Sequence, residues 1–154
     1  MNILVSACLL GLPCRYDGRS VPCEALAEKA KGHTLIPFCP EIYGGLPTPR
    51  DPAERVGDRV LTRSGADVTE AYRRGAQQAV FTARLLNCAH ALLKEKSPSC
   101  GCGLIYDGTF SRTLAQGNGL TAQLLMENGV TVAGESRAAE LFAALDQETA
   151  DQTV

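Results

Sequence analysis

Ile3-Leu4-Val5-Ser6-Ala7-Cys8 is an apolar run too short for a helix, rich in residues that favour strands, and it ends on a thiol. Leu35-Ile36-Pro37-Phe38-Cys39 has the same form. Ala91-Leu92-Leu93-Lys94 is a third such run and feeds the loop Ser97-Pro98-Ser99-Cys100-Gly101-Cys102-Gly103. Short runs of this kind read as buried strands, and Val130-Thr131-Val132 adds a fourth. Helical patterns separate them, so the reading is α/β: βαβ units building a mainly parallel sheet with helices on both faces, a single-domain Rossmann-like three-layer sandwich. Right-handed crossovers then put Cys8, Cys39 and Cys100 beyond the carboxyl ends of their strands. Ligand sites of open α/β sheets lie at that edge.

The connecting segments follow from turn and capping chemistry. Residues 8–18 read as a loop, with Gly11, Pro13 and Asp17-Gly18 supplying the turns. Pro22 to Lys31 reads as a helix closed by Gly32. Residues 39–50 are dense in proline and glycine, which predicts an irregular loop, and loops of that length in compact domains are often functional. Arg59 to Thr62 reads as an edge strand or a hairpin with residues near Val56. Asp67 or Thr69 caps a helix to about Asn87, whose apolar stripe is Val68, Tyr72, Ala76, Ala79, Val80 and Ala83. Asp107-Gly108 predicts a tight hairpin, and Thr121 caps a helix through Asn128, stopped by Gly129. Ser136 to Leu145 is the last helix; residues 1–146 form the domain and 147–154 a frayed tail.

Composition excludes several classes. The 154 residues suit one domain with a real core. A net charge of -2 argues against a general polyanion-binding surface and favours a small substrate. No apolar run reaches membrane-spanning length, and Ile3-Leu4-Val5 is too short for a signal peptide, which predicts a cytoplasmic protein. No phosphate-binding G-x-G-x-x-G or P-loop follows a strand, so no nucleotide cofactor is predicted. Seven cysteines in such a compartment point to metal binding or reactivity rather than disulfides. Cys88 and Cys23 read as small buried hydrophobes, and His33 and His90 as incidental. Cys100-Gly101-Cys102 has the wrong spacing for a zinc ribbon. Three thiols at strand ends suit an iron–sulfur cluster or zinc, with buried structural thiols and a redox dithiol as the other readings.

A resemblance narrows these choices. Ser6-Ala7-Cys8-Leu9-Leu10-Gly11 with Cys14-Arg15-Tyr16-Asp17-Gly18 resembles the start of the thiouracil desulfidase family, long catalogued in bacteria as a domain of unknown function. So do Phe38-Cys39-Pro40-Glu41, Gly44-Gly45-Leu46-Pro47-Thr48-Pro49-Arg50, Gly65-Ala66-Asp67-Val68-Thr69, Leu93-Lys94 with Ser97-Pro98-Ser99-Cys100-Gly101, and Ile105-Tyr106-Asp107-Gly108. The resemblance covers residues 2–135, in order.

It implies a 4Fe-4S cluster held by Cys8, Cys39 and Cys100, with one iron left open to the sulfur of a thiocarbonyl. The implied reaction is non-redox, hydrolytic C–S cleavage of a thiopyrimidine: thiouracil, thiouridine or thiouridine monophosphate. Glu41 is the implied acid/base, two residues after Cys39, and Ser97 the hydroxyl that orients water or substrate, favoured over Ser99. Ser99 remains a candidate substrate contact. Arg50 and Arg15 are candidate phosphate ligands, with loop salt bridges to Asp17 or Asp51 as their structural alternative. With no appended domain and no strong positive charge, a free base, nucleoside or nucleotide is favoured over tRNA. Cys102 and Cys14 depart from a three-thiol pattern. The rival reading is a non-catalytic module stapled by zinc or by a fully ligated cluster.

Overall fold

Ile3, Leu4 and Val5 have no exposed surface at all, which requires neighbours on both edges and both faces of the strand that carries them. In the computed structural model, which describes residues 1–152, that strand is β1 (Asn2–Ser6). It is followed by a 3-10 turn (Ala7–Leu10), α1 (Ala25–Lys29), β2 (Thr34–Phe38), α2 (Pro40–Tyr43), β3 (Ala53–Val56) and β4 (Arg59–Thr62). Then come α3 (Thr69–Leu85), β5 (His90–Leu93), β6 (Leu104–Tyr106), β7 (Leu114–Gln116), α4 (Leu120–Glu127), β8 (Thr131–Gly134), a 3-10 turn (Glu135–Arg137) and α5 (Ala138–Asp151).

The fold is mixed α/β, built on a four-stranded sheet of order β2-β1-β5-β8 in which every pairing is parallel. Successive side chains of β1 point to opposite faces, and each meets a different part of the core. Ile3 and Val5, with Leu92, cluster with Leu26 of α1 and with Leu141, Phe142 and Leu145 of α5. Leu4, with Ala91 and Leu93, clusters with Ala79, Val80 and Ala83 of α3 and with Ala122 and Leu125 of α4. Each buried Leu or Val contributes roughly 1.5–3 kcal/mol through lost apolar exposure. Two small antiparallel pairs, β3-β4 and β6-β7, lie outside this sheet.

Several local expectations need correction. The first helix is confined to Ala25–Lys29, and α3 ends at Leu85. The proline-rich stretch after Cys39 does hold a regular element: Pro40 starts α2, a position where its missing N–H costs nothing, and Gly44 follows its end. Thr69 does not cap α3. Its hydroxyl accepts the Val60 N–H at 2.9 Å, tying β4 to the helix, while the Asp67 carboxylate accepts the Thr69 N–H at 3.0 Å. Asp107-Gly108 does not make a tight hairpin, because the Asp107 carboxylate accepts the N–H and hydroxyl of Thr109 and the chain loops out before β7. Thr121 is fully buried against Ser99 rather than capping α4, which starts from Gly119. α5 continues past Leu145 to Asp151, so residues 147–151 are helical rather than frayed; 153 and 154 lie outside the described residues. No helix among the described residues is long and apolar enough to cross a membrane.

Candidate active site

Because β1, β2 and β5 are parallel neighbours, the segments that leave their carboxyl ends meet at one edge. A cavity of about 520 Å³ opens there, and its walls include Cys8, Cys39, Cys100, Glu41, Ser97 and one further thiol, Cys14. Cys14 is thus the thiol outside the three-cysteine pattern that does reach the cavity.

Cys8, Cys14 and Cys100 are buried and Cys39 is partly buried, and none is in a disulfide. Cys14 interacts with both the Cys39 and the Cys8 side chains, and its carbonyl accepts from the Cys39 thiol at 3.8 Å. The side-chain interaction with Cys39 favours the Cys14 thiolate, but the interaction with Cys8 and burial outweigh that and raise its pKa. The hydrogen bond with Cys14, together with burial, pushes the Cys39 thiol far up. Burial pushes Cys100 up to about 12, opposed by a hydrogen bond from the Ser6 hydroxyl. Ser6 serves the site from the end of β1, since its oxygen also accepts the Lys94 N–H at 2.9 Å. Among the described residues, no three His, Cys, Asp or Glu side chains close on a point where one metal ion could be held. A cluster is larger than an ion and takes each thiolate on a different iron, so its ligands stand further apart. Soft thiols from three separate loops, shielded from water, are a donor set that fits it.

Glu41 enters from the first turn of α2. Its Oε1 accepts from the Tyr72 hydroxyl and, at 3.4 Å, from Arg50 Nε; Arg50 Nη2 stands 3.4 Å from Oε2. Burial, and then the Glu41 charge, push the Tyr72 phenol far above its usual range, so it stays protonated and donates. The other Arg50 donors go to the carbonyls of Cys14 (2.8 Å) and Pro47 (3.2 Å) and to the Thr48 hydroxyl (3.1 Å). With its side chain only 6% exposed, Arg50 is committed to protein groups and is not among the cavity's walls. It therefore orders Glu41 and the Cys14 segment instead of presenting a guanidinium to phosphate. Its ion-pair partner is Glu41 rather than Asp51, whose carboxylate accepts from Ser64. Arg15 does line the cavity, loosely paired with Asp17 at 3.8 Å.

The two serines of the Cys100 loop separate clearly. Ser97 lines the cavity, and its hydroxyl oxygen accepts the N–H groups of Ser99 and Cys100, both at 3.0 Å. A hydroxyl has two acceptor lone pairs and one proton, so Ser97 has only its donor left for a ligand. Ser99 is fully buried, paired with the Thr121 hydroxyl at 3.0 Å and 3.9 Å from the Cys100 thiol, and it is not among the cavity's walls. Cys102 does not line the cavity; its thiol faces the Val132 carbonyl at 3.8 Å.

The far wall was not legible beforehand. The buried carboxylate of Glu54 accepts the N–H groups of Gly108 (3.0 Å) and Phe110 (3.2 Å), holding the loop after β6 over the cavity. Phe110, Arg112 and Lys96 have positive φ and all three line the cavity. Left-handed backbone at non-glycine residues gathers where a site shapes the chain. Arg63 lies over the Phe110 ring at 5.7 Å. Nothing in the local sequence distinguished these residues from ordinary surface ones.

A cavity at the carboxyl edge of a parallel sheet, walled by thiols from three strand ends and holding an ordered carboxylate, defines a thiol-based catalytic or cluster-binding α/β protein. The sequence profile of the 2-thiouracil desulfurase family matches residues 3–137, and the chain belongs to that family. It is 42% identical over 144 residues to the uncharacterized protein YbbK of Bacillus subtilis (strain 168), covering 87% of this chain and 95% of that one. Among solved structures it is similar to the 4Fe-4S-dependent thiouracil desulfidase TudS. That match has a TM-score of 0.87 and 48% identity, and covers 95% of this chain and 98% of the other.

Proposed function

We propose that the protein is a 4Fe-4S-dependent desulfidase that replaces the thiocarbonyl sulfur of a thiopyrimidine with oxygen from water, without net redox change. The observation that carries this reading is the meeting of Cys8, Cys39 and Cys100 with Glu41 and Ser97 around one cavity. Cys8, Cys39 and Cys100 would hold the cluster, which supplies a Lewis-acidic iron with no protein ligand to receive sulfur. Overall, the thiocarbonyl and water become a carbonyl and hydrogen sulfide, so both protons of the water must leave its oxygen and two must reach the departing sulfur. Glu41 is the base for that water. Ser97, restricted to donating, hydrogen-bonds a substrate heteroatom and fixes the ring. The cations Arg15, Lys96 and Arg112 on the cavity wall suit the phosphate of a thiolated nucleotide. The two core clusters flanking β1 support a single Rossmann-like three-layer domain as its scaffold.

Anaerobic reconstitution with iron and sulfide, followed by incubation with 2-thiouracil, 4-thiouracil and thiouridine monophosphate, tests the reading through sulfide release. No release from any of them overturns it. Cys14, a fourth thiol on the wall of the same cavity, is what favours the rival: a closed, non-catalytic four-thiol site. That rival requires Cys14→Ser to lose the bound metal.

A further inference from the structure

We propose that Tyr72 is a positioning residue for Glu41: its hydroxyl occupies Oε1 and thereby reserves Oε2 as the oxygen that takes the proton from water. The inference rests on the reading of Glu41 as the base.

The placement starts in the helices. α3 meets α2 with backbone against backbone: a Cβ on Gly75 would sit 1.9 Å from the Pro40 carbonyl oxygen, and one on Gly44 would sit 2.0 Å from that of Ala71. Only hydrogen fits at either position. This contact brings Tyr72, on the first turns of α3, beneath Glu41, on the first turn of α2. Tyr72 is 2% exposed, and a buried phenol must find an acceptor. The acceptor it finds is the candidate base.

The two carboxylate oxygens are not equivalent. Oε1 receives two donors, the Tyr72 hydroxyl and Arg50 Nε. Among the described residues Oε2 faces only Arg50 Nη2, at 3.4 Å, and that nitrogen also donates to the Cys14 carbonyl at the shorter distance of 2.8 Å. Oε2 therefore keeps the open lone pairs. The terminal torsion of glutamate is broad, so without a fixed donor the carboxylate samples many orientations. Arg50 alone touches both oxygens and cannot tell them apart; Tyr72 touches one and does. Sequence patterning placed Tyr72 only in the apolar stripe of its helix, and its ring does serve the core. The hydroxyl is what reaches the site.

The test compares wild type with Tyr72→Phe, Glu41→Gln and the double variant, each loaded with cluster and assayed for sulfide release from 4-thiouracil. The same proteins without cluster are unfolded in urea, which also shows that Tyr72→Phe, lacking one oxygen, still folds. Tyr72→Phe should lower kcat about tenfold, a modest share of the 10²–10⁴-fold typical of a positioned base, with KM and iron content unchanged. In the Glu41→Gln background it should cause no further loss. In the cluster-free protein the two substitutions should be non-additive in unfolding midpoint. If Tyr72→Phe keeps the wild-type kcat while Glu41→Gln is inactive, or if the two kinetic losses multiply, the positioning role is overturned. If Glu41→Gln itself keeps full kcat, Glu41 is not the base and the inference goes with it.

Discussion

The hydroxyl of Ser97 accepts the backbone N–H of Cys100 at 3.0 Å while also accepting that of Ser99. One side chain thus folds the loop that delivers a thiol to the cavity and keeps its own proton for whatever enters. Ser97→Ala should lower stability by roughly 1–2 kcal/mol, the net value of one or two such bonds, measured by urea unfolding of the cluster-free protein. It should also weaken iron retention. Ser97→Thr keeps the oxygen and should retain both. Equal iron retention in all three proteins would detach the loop from this hydroxyl.

Cys14 and the three strand-end cysteines should behave differently on substitution. Cys8→Ser, Cys39→Ser and Cys100→Ser should each abolish the brown cluster absorbance after anaerobic reconstitution. Cys14→Ser should keep iron and acid-labile sulfide near wild-type content, because a cluster held by Cys8, Cys39 and Cys100 makes no demand on a fourth thiol. Iron lost from Cys14→Ser as completely as from the other three would favour the four-thiol module.

Gly75→Ala should destabilise the protein by about 1–3 kcal/mol, the usual cost of overpacking, since its Cβ meets the Pro40 carbonyl. The backbone that must yield carries Glu41, so kcat should fall too. Gly57→Ala, with open space around its Cβ, should destabilise through its positive φ and leave kcat alone. Urea unfolding and turnover on the same preparations separate the two effects.

Acid stability should depend on Asp67. Hydrogen bonds from the Thr69 hydroxyl and N–H, then Arg59, hold its carboxyl at about 2, below the usual carboxylate value. A depressed folded-state pKa stabilises the fold above the unfolded-state pKa, and the benefit disappears as pH falls through about 2. Wild type should therefore unfold at higher urea than Asp67→Ala near neutral pH, with the gap closing as pH falls toward that value. A gap independent of pH would assign the effect to packing.

Much of this organisation was legible because it is local or periodic. An apolar run flanked by turns marks a buried strand whatever it packs on, and parallel connection places successive strand ends on one side. That reasoning brought Cys8, Cys39 and Cys100 to one edge. It failed where a distant group changed the local outcome. Thr69 and Thr121 read as caps, yet one serves β4 and the other Ser99. For Arg50 the sequence left a phosphate contact and a loop salt bridge both open, and named Asp17 or Asp51 as the partner where the structure gives Glu41.

By itself, the amino-acid sequence determined the strands of the parallel sheet, the thiols beyond their ends and the family the motifs belong to, since these depend on neighbours along the chain. Only the tertiary structure decided which polar groups meet. It placed Cys14 on the cavity wall with the presumed ligands, limited Ser97 to donating, and set the Tyr72 hydroxyl on one oxygen of Glu41. The reason is physical: a hydrogen bond is a matter of a few tenths of an ångström between groups far apart in sequence, and helix contacts such as Gly75 on Pro40 fix that distance.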